Sequence, residues 1–347
     1  MPLGMSLTKY VRREYCIQMI DAALIIAGLV LLFLGGEALV RGSVTISKKL
    51  GISAILIGVV VVGFGTSAPE LLVSVKASLN DQPDIALGNV IGSNIANILL
   101  ILGAAAVITP VLCYDKAIKR DAFSVVLASI AFLALAYMGT ITQLAGGIMV
   151  TALIAYLTYS YMSERKDKAL LAAAHESAPD IETTHEYETD EFAGNFSLPL
   201  SIVMTIGGIV MLVFGADFLV RGATSVARSF GVSEAVIGLT LVALGTSLPE
   251  LATAIAAAVK KNTDVIIGNV LGSNLFNILS ILGITALIQP IPVNKDLVTF
   301  DVPFALALSV LTLLVIVVFK NINRVMGALF LLAYAAYMAW LFISGHV

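Results

Sequence analysis

Apolar residues fall in long runs along this chain, at 20–40, 52–79, 84–108, 121–139, 143–162, 199–220, 233–259, 264–288, 299–319 and 325–343, with short polar turns between them. A helix needs about 20 mainly apolar residues to cross the hydrocarbon core of a bilayer. The pattern therefore predicts an all-α polytopic membrane protein with ten transmembrane helices. Residues 1–18 place Lys9, Arg12 and Arg13 ahead of the first run, as a signal peptide would. The run from Met19 exceeds the roughly 7–15 apolar residues of such a peptide and no small-residue cleavage pattern follows, so it reads as a first spanning helix. The one long polar stretch, Ser163 to Ser197, holds His175, His185, Glu182, Glu186, Glu188, Asp190 and Glu191. That composition is typical of a solvated linker, and the chain divides into an N-terminal half 1–162, a linker 163–198 and a C-terminal half 199–347.

The two halves repeat one another. Residues 31–103 align with 211–283 at a constant offset of 180 without a gap, with 31 of 73 positions identical, about 42%. Five helices in each half is an odd number, so the second half must enter the membrane from the opposite side, giving the inverted repeat found in many secondary transporters. With the N-terminus on one side, the loops of the other side carry Arg41, Lys48, Lys49, Lys116, Lys119, Arg120, Arg165, Lys166, Lys168, Lys260, Lys261, Lys320 and Arg324. The N-terminal side carries only Lys9, Arg12, Arg13, Arg221, Arg228 and Lys295. Basic loops stay cytoplasmic, so both termini are expected outside and the 163–198 linker inside.

Composition sharpens this picture. Of 347 residues, 59% are hydrophobic and 12% charged, and the mean hydropathy is +0.99. Soluble domains carry about 25% charged residues, so a water-soluble enzyme is excluded and the function belongs inside the bilayer. The net charge is −3 with basic residues scattered through loops, which leaves no footprint for nucleic acid. Cys16 and Cys113 have no metal-binding or redox spacing.

The polar chemistry lies in the repeat. Gly65-Thr66-Ser67-Ala68-Pro69-Glu70 matches Gly245-Thr246-Ser247-Leu248-Pro249-Glu250, and Gly88-Asn89-Val90-Ile91-Gly92-Ser93-Asn94 matches Gly268-Asn269-Val270-Leu271-Gly272-Ser273-Asn274. Pro69 and Pro249 lack an N–H, so the carbonyls of Gly65 and Gly245 lose their helical partners and each helix is expected to kink. Thr66 and Ser67 stand four and three residues before Glu70, which puts hydroxyls and carboxylate on one helix face; Ser93 with Asn97 and Ser273 with Asn277 repeat the spacing. The glycines equally suit close helix packing. A carboxylate in mid-membrane costs at least about 2.5–3.5 kcal/mol, and no Lys or Arg lies mid-span beside Glu70 or Glu250, so two such groups call for a cation. Oxygen ligands without His or Cys favour Na⁺ or Ca²⁺ over zinc or copper.

These paired motifs resemble the α-repeats of the cation/calcium antiporter superfamily, in particular the sodium/calcium exchanger branch and its prokaryotic members, over nearly the whole chain. The resemblance implies two inverted five-helix repeats, broken helices at the ion site and four central ion sites in a diamond. It implies that Glu70 and Glu250 are shared carboxylates and that Thr66, Ser67, Thr246, Ser247, Ser93 and Ser273 add hydroxyl oxygens. Asn97 and Asn277 would add amide oxygens, and Gly63 and Ala243 backbone carbonyls. Potassium-dependent exchangers, and some prokaryotic members, carry Asp where Asn277 stands, so Asn277 argues against potassium dependence. It also leaves two formal charges, which match one Ca²⁺ or two Na⁺. Proton-coupled relatives tend to place an acid where Gly92 and Gly272 sit.

The expected function is therefore a secondary antiporter of the cell membrane, working as a monomer, that exchanges Na⁺ for Ca²⁺ by alternating access. The transported ions and the bilayer are its partners and no cofactor is expected. A proton/Ca²⁺ or proton/Na⁺ antiporter is the alternative within transport, and a channel would conduct without a counter-ion. An intramembrane hydrolase would need an HExxH, a serine with a histidine base or an aspartate dyad; none is present, and His175, His185 and His346 lie outside the apolar runs.

Overall fold

The computed structural model describes residues 7–177, 196–230, 243–294 and 297–344. Helix α1 spans Leu7–Leu50. A bent pair follows, α2 (Ala54–Thr66) and α3 (Ala68–Leu79), meeting at 45°. Then come α4 (Pro83–Ile108), α5 (Lys116–Tyr137) and α6 (Gln143–Ser177). The second half contributes α7 (Leu198–Ser229), the short α8 (Ala243–Thr246), α9 (Leu248–Val259), α10 (Thr263–Ile288), α11 (Leu297–Val318) and α12 (Arg324–Ser344). Among the described residues, seven helices are long and apolar enough to cross a membrane, or eight if the bent pair is one span. The protein is a helical, multi-pass membrane protein.

The breaks fall where the prolines dictate. Pro69 and Pro249 stand in the first turns of α3 and α9, and the residues at the joints, Ser67 (φ −83°, ψ 9°) and Ser247 (φ −89°, ψ 4°), leave helical geometry. Four further features have no signature in the apolar pattern. Wider π turns occupy Gly58–Gly63 in α2, Asn97–Leu102 in α4, Asn277–Leu282 in α10 and Leu297–Asp301 at the start of α11. Helix α1 begins ahead of the apolar run at 20–40, and α6 runs beyond the apolar run at 143–162 to Ser177; residues 178–195 of the expected linker lie outside the described residues.

Helices α4 and α10 form the centre. The apolar window of α10 is buried along its whole length and that of α4 over most of it, so the polar face that each carries is turned into the protein. Around them α1 packs antiparallel on α7 along a glycine seam. A Cβ at Gly35 would stand 2.9 Å from the Gly208 carbonyl, and one at Gly208 would stand 2.7 Å from the Leu39 amide. The backbones touch, as small residues permit in a membrane, where dispersion contacts replace the hydrophobic drive.

The turns sort into two groups. Strands β1 (Val111–Leu112) and β4 (Asn321–Ile322) pair antiparallel, and Thr109 beside them donates to the Ala258 carbonyl at 2.9 Å. Strands β2 (Thr140–Ile141) and β3 (Ile291–Pro292) pair separately, and Gln289 beside them donates to Asp81 at 3.0 Å. The first group joins the turns after α4, α9 and α11; the second joins those after α3, α5 and α10.

Candidate cation site

Glu70 and Glu250 occupy the first turns of α3 and α9, and each is only 1% exposed. Each receives a hydroxyl from the other half. Ser67 Oγ donates to Glu250 Oε1 at 2.9 Å, and Ser247 Oγ lies 3.4 Å from Glu70 Oε1 and 3.2 Å from Ser93 Oγ. Spacing alone put Ser67 on the face of Glu70. The break at Ser67 swings its hydroxyl across the interface instead.

Thr66 Oγ1 donates to its own Val62 carbonyl at 2.9 Å and lies 3.3 Å from Asn269 Oδ1; Thr246 Oγ1 lies 3.3 Å from Asn89 Oδ1. Asn89 donates to the Glu70 carbonyl at 3.1 Å and Asn269 to the Glu250 carbonyl at 3.3 Å, so an amide of each central helix ties to the carboxylate-bearing helix of its own half. Ser273 Oγ reaches the Gly63 carbonyl at 3.4 Å. That approach needs glycine, since a Cβ at Gly63 would stand 3.0 Å from the Ser273 amide. Ala243, 180 positions after Gly63, opens α8.

The electrostatics follow from what is left over. Glu70 Oε2, Glu250 Oε2, Asn97 Oδ1 and Asn277 Oδ1 are all buried with no hydrogen-bond partner. All four are acceptors, and an orphaned buried acceptor costs about 1–3 kcal/mol, more when charged. The orphaned oxygens have no protein cation as a hydrogen-bond partner, and Arg41 and Lys260 pair with Glu37, Arg120 with Asp121 and Arg221 with Asp217. No group of three or more His, Cys, Asp or Glu is placed to hold a metal ion among the described residues. The donor set is therefore two carboxylates among neutral oxygens, which suits a hard cation.

Of the twelve residues singled out in the sequence, ten lie on the helices that meet here, and Ser67 and Ser247 lie at the joints between them. Sequence reasoning passed over four others, Asn89, Asn94, Asn269 and Asn274. Their signal was present, because all four stand inside the duplicated G-N-x-x-G-S-N motif.

Two buried carboxylates and unpartnered neutral acceptor oxygens, among helices of membrane-spanning length, are a donor set suited to hard cations. The chain belongs to the sodium/calcium exchanger protein family, whose model matches residues 20–162 and 200–343, and it is a membrane antiporter of that family. Sodium/calcium exchanger MaX1 of Methanosarcina acetivorans is 32% identical over 93% of this chain and 99% of its own length. The putative antiporter CaxA of Alkalimonas amylolytica is 32% identical over 92% and 98%. A solved structure of the sodium-calcium exchanger NCX_Mj, soaked with 10 mM Na⁺ and no Ca²⁺, superimposes with a TM-score of 0.77 at 31% identity, covering 93% of this chain and 99% of that one.

Proposed function

We propose that this protein exchanges Na⁺ for Ca²⁺ across the cell membrane by alternating access at the site between Glu70 and Glu250. The observation that carries the reading is the set of four orphaned acceptors, Glu70 Oε2, Glu250 Oε2, Asn97 Oδ1 and Asn277 Oδ1. Glu70 and Glu250 supply the two charges that balance one Ca²⁺ or two Na⁺, and a third Na⁺ rests on neutral oxygens. Thr66, Ser67, Ser93, Thr246, Ser247 and Ser273 supply hydroxyl oxygens, Asn97 and Asn277 amide oxygens, and Gly63 and Ala243 carbonyls. Hydroxyl protons that now point to carboxylate or carbonyl rotate away when a cation arrives, freeing lone pairs on both partners. Because the two loads share ligands they exclude one another. An empty site holding two uncompensated charges crosses the barrier poorly, and that couples the fluxes.

Ten crossings in two inverted repeats are supported by the segregation of turns into two groups and by the one-sided distribution of Lys and Arg. Termini outside and the 163–198 linker in the cytoplasm follow, with the monomer as the working unit. The relatives support the same ions, since NCX_Mj structures were obtained after soaks with Na⁺ together with Sr²⁺ or Ca²⁺.

Proteoliposomes loaded with Na⁺ test the reading. Ca²⁺ uptake is expected to follow the Na⁺ gradient and to vanish in Na⁺-free vesicles; uptake driven by a pH gradient alone would instead establish proton coupling. In calorimetric titrations, raising Na⁺ is expected to weaken Ca²⁺ binding with a Hill coefficient above one. A Ca²⁺ affinity independent of Na⁺ would refute the shared site.

A further inference from the structure

A carboxamide offers an oxygen on one side and an NH₂ of nearly equal size on the other, so an amide ligand is useful to a cation only if something fixes which end faces it. Asn97 and Asn277 are each 1% exposed, with Oδ1 unpartnered. Their other ends are tied across the two halves. Asn97 Nδ2 donates to Asn274 Oδ1 at 2.9 Å, and Asn277 Nδ2 donates to Asn94 Oδ1 at 2.9 Å. Turning either amide over would set two oxygens against each other at that distance and aim an NH₂ at the cation.

The amides that do the tying are themselves fixed. Asn94 Nδ2 faces the main-chain carbonyl of Asn274 at 3.4 Å, and Asn274 Nδ2 faces that of Asn94 at 3.4 Å. A main-chain carbonyl only accepts, so it selects the NH₂ end of the amide beside it. Orientation thus passes from two immobile carbonyls through Asn94 and Asn274 to the oxygens of Asn277 and Asn97. All four side chains are 6% exposed or less, so water is a poor substitute for any of these bonds.

We propose that Asn94 and Asn274 are positioning residues of the cation site, each holding the ligand amide of the opposite half with its oxygen toward the ion. This rests on Asn97 and Asn277 being ligands. Side chains that orient metal ligands typically change affinity 10–100-fold when removed, so Asn274→Leu, which keeps the bulk and loses the acceptor, is expected to weaken Ca²⁺ binding at least about tenfold. Asn274→Asp keeps the acceptor toward Asn97 but loses the donor to the Asn94 carbonyl, and is expected to bind more tightly than Asn274→Leu. A packing role for Asn274 would make Asp as harmful as Leu.

The sharpest reading comes from pairs, measured by calorimetric Ca²⁺ titration of the purified full chain. If Asn274 acts through Asn97, then Asn274→Leu adds little to Asn97→Ala, and its loss adds in full to that of Asn277→Ala, although Asn277 is the nearer residue on its own helix. The mirror pattern is expected for Asn94→Leu, coupled to Asn277 and independent of Asn97. Full additivity with both ligands, coupling to the same-helix asparagine, or unchanged affinity in Asn274→Leu and Asn94→Leu would overturn the inference. Unchanged affinity in Asn97→Ala and Asn277→Ala themselves would instead overturn the ligand assignment beneath it.

Discussion

Ser67 reaches Glu250 at 2.9 Å and Ser247 lies 3.4 Å from Glu70; Asn97 meets Asn274 and Asn277 meets Asn94, both at 2.9 Å. In these four central contacts the halves treat each other alike. At the helix ends they do not. Glu37 of α1 pairs with Arg41 and also with Lys260, at 2.6 Å, at the end of α9. The corresponding Asp217 pairs with Arg221 at 2.8 Å, and Asn80 stands where the offset would put a second lysine. The proposed cation, shared by both halves, would constrain them equally where it binds. The ends answer to no shared ligand, and there the copies have drifted apart.

The largest expected effect tests the central equality. Glu70→Gln and Glu250→Gln should each abolish Na⁺-driven Ca²⁺ flux in proteoliposomes and leave a folded protein, because each removes half of the charge that balances the ion. Near-normal flux in either would mean that one half carries the site alone. Asn277→Asp breaks the equality the other way. A third charge among the proposed ligands should tighten Ca²⁺ binding in calorimetric titration.

A smaller effect is expected at the α1–α7 seam, where adjacent glycines differ. A Cβ at Gly208 would meet the Leu39 amide at 2.7 Å and the Gly35 carbonyl at 2.8 Å, whereas one at Gly207 meets nothing within 4 Å among the described residues. Gly208→Ala should cost about 1–3 kcal/mol from overpacking against backbone that cannot yield. Gly207→Ala should be neutral or slightly stabilising, because alanine is the better helix former. Thermal unfolding in detergent separates the two, and equal losses would show that the seam is not where α1 and α7 are held.

Much of this was legible in the sequence for identifiable reasons. Proline leaves a mark that context rarely erases, so the breaks ahead of Glu70 and Glu250 could be placed, and a carboxylate in an apolar run declares itself by its cost. The π turns at Asn97–Leu102 and Asn277–Leu282 could not be read, because a wider turn depends on which carbonyl an amide reaches and uses the same residues as an α turn. The crossing of Ser67 to Glu250 and of Asn94 to Asn277 was hidden for another reason. Spacing reports neighbours on one helix and says nothing of which helix lies opposite.

The smallest expected effect bears on the ends. In a duplicated carrier the two access states exchange the roles of the halves, and contacts common to both halves favour neither state. Only unequal contacts set the bias. The Glu37–Lys260 pair is such a contact: it ties α1 to the end of α9, and the exchanged arrangement would bring Asp217 toward Asn80, which carries no charge. With side-chain exposures of 27% and 13%, the pair is worth at most about 1 kcal/mol, a shift of roughly fivefold in the balance of states. Lys260→Asn should therefore leave maximal flux near normal and change the ratio of apparent Ca²⁺ affinities measured from the two faces in oriented vesicles, severalfold at most. Asn80→Lys, which supplies the missing partner for Asp217, should move the ratio in the opposite direction. High salt should shrink both effects by screening. Shifts of the same sign from the two variants would mean that the ends of the halves do not oppose each other, and that the bias lies elsewhere along the α1–α7 pair.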